Sequence, residues 1–255
     1  MLEHFLVSQV FVFFLIFCRI GSGIMLLPGF GESYVSQRVR LVLALMITLL
    51  LTPVLGKTFP PMPSSSLALA LLVIIEIITG IFIGSICNIL ISVTHIAGMI
   101  FSFQSGISSA VIFDATQNSQ GSLVGNFFGL ATIVLLFITD LHHMMLRGIT
   151  QSYSVFIPGH FLPLQDAVNT VVRLTSETFI MAVQISAPFI VIGTLLFLGA
   201  GVISRLMPTV QVFFIITAPQ LLVSFFILVT TFSAMMLWYM EFYKDKLTEV
   251  LGYLK

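Results

Sequence analysis

Charge is what this sequence has least of. Only 8% of its 255 residues are Asp, Glu, Lys or Arg, about a third of the share found in ordinary soluble domains. The ten basic residues are scattered, and formal net charge is zero. No basic face exists to neutralise phosphates, which counts against nucleic acid as a partner. Cysteine is nearly absent as well. Cys18 and Cys87 each lie within an apolar passage, with no CxxC and no Cys/His spacing. Neither a disulfide framework nor a zinc site is indicated, and both read as small core residues. Positive charge is also missing at the N-terminus, where Glu3 and His4 stand and Arg19 interrupts the first apolar run; no cleavable signal peptide is expected. Catalytic signatures are lacking too: there is no GxSxG and no HExxH, so neither a serine hydrolase nor a zincin is indicated.

What is present is apolar. Hydrophobic residues make up 58% of the chain and the mean hydropathy is +1.14, the composition of a polytopic all-α membrane protein. His4–Cys18 and Ile20–Gly31 form one span with the Arg19 guanidinium near its middle, ended by Pro28 and Gly29. A connector carrying Glu32, Arg38 and Arg40 leads to a second run, Leu41–Leu55. The stretch from Gly56 to Ser66, with Lys57, Pro60, Pro61 and Pro63, reads as a surface loop, since proline cannot continue a helix. From Ile77 to Phe113 there is no charged residue over 37 positions, while a helix crossing about 30 Å of hydrocarbon needs only about 20. The passage must turn or leave the membrane. A helix is expected from about Leu67 to Met99 with Glu76 in its body, then another from Leu123 to Met145. A loop over Arg147–Gln165 and a helix from about Asp166 follow. The run Leu206–Met240 is again too long for a simple span, at 35 uncharged residues, with Pro208 and Pro219 able to bend it. From Glu241 the chain reads as a short amphipathic tail bearing Lys244, Lys246 and Lys255. Six alternating spans would put the Arg38/Arg40 connector and this tail on opposite sides, against the positive-inside rule. Either the span count is odd or some helices do not cross.

The stretch that organises the rest is Phe101–Gly125, rich in Gly, Ser and Gln between two strongly apolar passages. Open backbone of this kind cannot lie against lipid, because each unsatisfied amide there costs several kcal/mol; it must be buried in protein or line water. The ionisable residues within apolar runs are Arg19, Glu76, Asp140, Arg173, Glu177 and Arg205. They read as partners that fix helix register, with Arg19, Glu76 and Arg205 as buried structural charges and Arg173 with Glu177, four apart, as an internal pair. A proton relay would need acidic groups strung along one helix or facing across two. Asp140, His142 and His143 share a helix end but lack metal-ligand spacing and read as structural. Gly80 and Gly84, and Gly121, Gly125 and Gly129 at intervals of four, are small-xxx-small patterns that let helices approach closely.

Several stretches together resemble a known family. They are R-x-G-x-G-x-M-x-x-P-G-F-G from Arg19 to Gly31, R-x-R-L-x-L-A-L at Arg38, Glu76 followed by Gly80 and Gly84, HHMMLRG at His142, Ser-x-x-x-F-x-P-G at Ser152, and RLMPTVQVFF from Arg205 with Pro219 beyond. The whole chain, in order, resembles the FliR family of the bacterial flagellar type III export gate, departing at Leu141 where Gly is expected. The resemblance implies a single-copy subunit that closes a helical ring with FliP and FliQ, in contact with FlhB and FlhA. It needs no cofactor and would sit in the bacterial inner membrane at the flagellar basal body, passing unfolded flagellar proteins. Residues 1–165 would correspond to FliP and 166–255 to a FliQ-like helical hairpin. Much of the helix would stand above the bilayer. The family's pore plug would fall at about 104–122. Within it, Gly106, Ser108, Ser109, Ala110 and Thr116 are small enough for a narrow lumen, and Ile107, Val111, Ile112 and Phe113 offer apolar surface worth roughly 1.5 to 3 kcal/mol each if fully buried. Asp114 and Gln117 complete the segment. The equivalent subunit of a virulence injectisome would read alike. A secondary transporter or ion channel, which also holds broken helices at mid-depth, would show an internal repeat, and an intramembrane hydrolase would depend on His143.

Overall fold

The computed structural model describes residues 2–56, 58–108, 122–207 and 212–252, and among these it has seven helices and no strand. Helix α1, Leu2–Leu26, stops where Pro28 can no longer donate an amide and Gly29 turns at φ 79°. Helix α2, Gln37–Leu55, starts at Ser36, whose hydroxyl caps the Val39 amide. The proline stretch that follows is not helical where described. Helix α3, Ser66–Ser105, has 40 residues and is therefore about 60 Å long, twice the hydrocarbon thickness. After it come α4, Leu123–Ile138, and α5, Leu141–Val155, then α6, Leu164–Leu206, and α7, Val212–Gly252. Among the described residues five helices are long and apolar enough to cross a membrane, and α4 with α5, bent by 78° at their junction, make a sixth candidate.

Four boundaries differ from the sequence expectation. α3 continues past Met99 to Ser105, and its Ser hydroxyls are satisfied within the helix, as Ser102 is on the Gly98 carbonyl at 2.9 Å. The expected helix Leu123–Met145 is broken at Asp140, which takes φ 59°, a left-handed conformation that Asp tolerates better than most residues. The expected loop Arg147–Gln165 is helical as far as Val155, irregular over residues 156–163, and helical again from Leu164. The expected tail from Glu241 is no separate piece: α7 runs through Pro219 and Glu241 without a stop. Pro208 lies outside the described residues.

The chain divides into two compact units, each discontinuous in sequence. The first comprises Met1–Leu90, Phe137–Leu174 and Lys244–Lys255; the second, Ile91–Leu136 and Thr175–Tyr243. In the first, α1 packs on α2 and α5. The buried stripe of α1, Phe11, Leu15, Ile16, Ile20 and Ile24, follows the 3.6-residue helical period. The core of the second gathers around Phe101, which is fully buried.

Candidate functional site

The polar stretch is held at its two described ends by the second unit. Gly106 ends α3 at φ 79°, a conformation open to glycine at little cost. Ser108 donates to the Ser102 carbonyl at 3.2 Å. On the far side, the Ser122 hydroxyl lies 2.6 Å from the Ser102 hydroxyl and 3.2 Å from the Gly98 carbonyl, within reach of donating to either. The Ser122 hydroxyl also accepts the Gly125 amide at 3.1 Å and so caps the first turn of α4. Ser108 and Ser122, which bracket the rest of the stretch, are thus tied to the same end of α3. The expected gating residues Gly106, Ile107 and Ser108 lie on this anchor. Ser109 to Gln117, the remainder of that set, lie outside the described residues, as does Gly121.

Around the anchor, helices meet through glycine and through one buried amide. A Cβ on Gly98 would land on the Gly125 backbone, and one on Gly129 would strike the His95 ring; the two described members of the glycine series therefore sit at close helix contacts. A Cβ on Gly193 of α6 would collide with the Gln104 side chain, so Gly193 is the space that Gln104 occupies. Gln220 of α7, 3% exposed, donates its Nε2 to the Gln104 carbonyl at 2.5 Å, satisfying an acceptor in the last turn of α3. Beneath lies an aromatic cluster: Phe101 meets Phe189 at 4.8 Å and Phe225 at 5.8 Å, both edge to face, arrangements worth about 0.5–1.5 kcal/mol each beyond burial. Sequence reasoning passed over Gln220, Gly98 and Gly193, and took Gln104 only as the edge of the expected plug. The available signal was Gln220, the one side-chain amide of α7 and within its uncharged stretch up to Met240, where polar side chains tend to bridge helices.

In the first unit, Arg19 and Glu76 are both fully buried and form a two-pronged ion pair, Nε to Oε2 at 2.6 Å and Nη2 to Oε1 at 3.1 Å. The remaining guanidinium nitrogen donates to the Phe156 carbonyl at 3.0 Å and the Ser152 hydroxyl at 3.4 Å, and the Tyr153 ring lies 4.1 Å beneath the charge. The pair is reachable because α3 lies directly on α1: a Cβ on Gly80 would fall on the Arg19 carbonyl, and one on Gly84 would come within 2.8 Å of the Gly23 carbonyl. Arg205, expected among the buried charges, is exposed at the end of α6. Arg173 reaches Glu249 of α7 at 2.9 Å, a partner from another element that the spacing of four toward Glu177 did not announce. Asp140 and His143 approach to 3.5 Å, both exposed. With His142 they bring one ligand atom each within 4.8 Å of one another, at the bend between α4 and α5.

The arrangement is one of anchoring and packing. Residues 10–245 match the family described as bacterial export proteins, family 1. The chain is similar to the flagellar biosynthetic protein FliR of Caulobacter vibrioides, 30% identical over 94% of this chain and 95% of that protein. It is also similar to the FliR proteins of Bacillus subtilis, 27% identical over 87% of this chain and 86% of that one, and of Escherichia coli, 26% identical over 74% and 71%.

Proposed function

The chain belongs to the bacterial export proteins, family 1, and from that membership we propose that it is a non-enzymatic subunit of the flagellar type III export gate. It forms part of the channel for unfolded flagellar proteins in the bacterial inner membrane. The observation that carries this reading is a match running through nearly all of the chain to relatives named for flagellar biosynthesis. The fold suits the role. Helices α3, α6 and α7 are about twice as long as a bilayer needs, and they leave large apolar side chains such as Leu198, Leu222, Phe226 and Val229 exposed on the single chain. Surfaces of that kind are covered by lipid or by partner helices, and FliP and FliQ are the partners proposed, with FlhB and FlhA beside them.

Within this gate, the segment Gly106–Gln120 serves as the plug. Support comes from its small, polar composition and from the Ser102–Ser122 contact, which lies outside the segment and keeps the flanking helix ends together when the segment is displaced. The test of the assignment is a detergent pull-down of the tagged chain. Stable co-purification with two other small helical membrane proteins is expected, and a lone monodisperse protein contradicts it. Loss of motility rather than of effector secretion on deletion separates the flagellar gate from that of an injectisome.

A further inference from the structure

We propose that the groove between α1, α2 and α5 is a binding site for one anionic phospholipid. The proposal goes beyond the export reading and rests on it only for the partner subunits of the complex in which it is tested. The groove holds a cavity of about 290 Å³, at the lower end of the range for ligand pockets and suited to a length of a single acyl chain. Ile20 and Ile24 of α1, Leu50 and Leu51 of α2 and Ile149 of α5 form its wall. Well-packed interiors leave few voids larger than a water molecule, so an apolar groove of this size awaits an apolar occupant.

The polar residues at the groove, His143, Arg147 and Thr150, are spaced by four and three along α5 and so lie on one helix face. Thr150 donates to the Arg147 carbonyl at 2.9 Å, and His143 has Asp140 at 3.5 Å. The Arg147 guanidinium is exposed, and no carboxylate of the described residues pairs with it. An apolar wall ending at a single available cation matches the two ends of an anionic phospholipid. A zwitterionic lipid would bring a choline cation beside its phosphate and offset the gain at Arg147, and a soluble anion would leave the wall wet. The outer face of α2 continues the groove: Met46, Leu50 and Val54, four apart, are 62%, 72% and 71% exposed on a helix apolar enough to cross a membrane. The groove therefore opens onto a surface made to face acyl chains.

The complex, purified with its partner subunits, is placed in phosphatidylcholine nanodiscs containing a probe lipid that carries a photoreactive group at the end of one acyl chain. The probe is either phosphatidylglycerol or phosphatidylcholine. Peptides covering Ile47–Leu51 and Leu146–Thr150 should be labelled about fivefold more by the phosphatidylglycerol probe, the preference one basic side chain gives at an anionic headgroup surface. Arg147→Gln, at an exposed position, should abolish the preference while leaving phosphatidylcholine labelling unchanged, and Leu50→Trp, filling the groove from its open side, should lower labelling by both probes. Equal labelling by the two headgroups, or a preference that survives Arg147→Gln, overturns the proposal. Absence of labelling in the assembled complex overturns it too, by assigning the groove to a partner helix.

Discussion

Replacing Glu76 by Ala leaves a guanidinium sealed inside the first unit with half of its hydrogen bonds. Arg19 is 0% exposed and loses the bonds at 2.6 and 3.1 Å, keeping only the Phe156 carbonyl and the Ser152 hydroxyl. Removing one partner of a buried ion pair costs about 3–5 kcal/mol, because the survivor remains desolvated without compensation. For a chain of this size that corresponds to a fall in unfolding temperature on the order of 10 °C. Replacing both groups, as Arg19→Met with Glu76→Leu, removes the stranded charge together with its partner and should recover most of the loss, since buried pairs and well-packed apolar side chains of similar volume are nearly equivalent. The assay is thermal unfolding of the complex purified in detergent, together with the amount of chain recovered in it. A Glu76→Ala variant within a degree or two of the parent, or a double variant less stable than Glu76→Ala alone, would refute the reasoning.

Close backbone contact gives a second expectation. Gly80→Ala drives a methyl into the Arg19 carbonyl and should cost about 1–3 kcal/mol as overpacking, whereas Gly21→Ala meets only Phe17 at 3.9 Å and should be neutral or slightly stabilising through helix propensity; paired unfolding curves check both. The Arg173–Glu249 pair, with side chains 45% and 28% exposed, should contribute no more than about 1 kcal/mol, so Arg173→Gln is expected to unfold within a few degrees of the parent and to lose its remaining effect in high salt. Gln220→Leu strips the last turn of α3 of a donor at the anchor; a loss of about 1–3 kcal/mol is expected from the orphaned Gln104 carbonyl, read as the same thermal shift.

Much of the helical plan was legible because its signals are local. Pro28 with Gly29 ends α1, the Pro60–Pro63 stretch separates α2 from α3, and uncharged runs of 37 and 35 residues announced helices longer than a bilayer. The bend at Asp140 was not legible, because an apolar helix pattern runs straight across it and only the left-handed conformation of one residue breaks it. The contact of Arg173 with Glu249 was missed for a different reason: local spacing points to Glu177, and only the fold brings Glu249 within reach. Mid-span placement marked Arg19 and Glu76 as costly to bury, yet it did not say that they answer each other across α1 and α3; that depended on Gly80 and Gly84, whose single pair reads as a weak signal in isolation. Arg205 shows the converse, an arginine in an apolar passage that emerges at a helix end. At the candidate plug, composition identified the stretch, while its anchor rests on Gln104, Gln220 and Gly193, residues 27 to 116 positions apart in sequence.

The central claim is that this chain closes an export channel with the stretch between α3 and α4. Deleting Gly106–Gln120 within the assembled complex and measuring leakage of small solutes across the membrane tests it directly. The account predicts an intact complex that co-purifies as before in a membrane now permeable to ions and small metabolites; an intact complex in a membrane as tight as the parent's contradicts it.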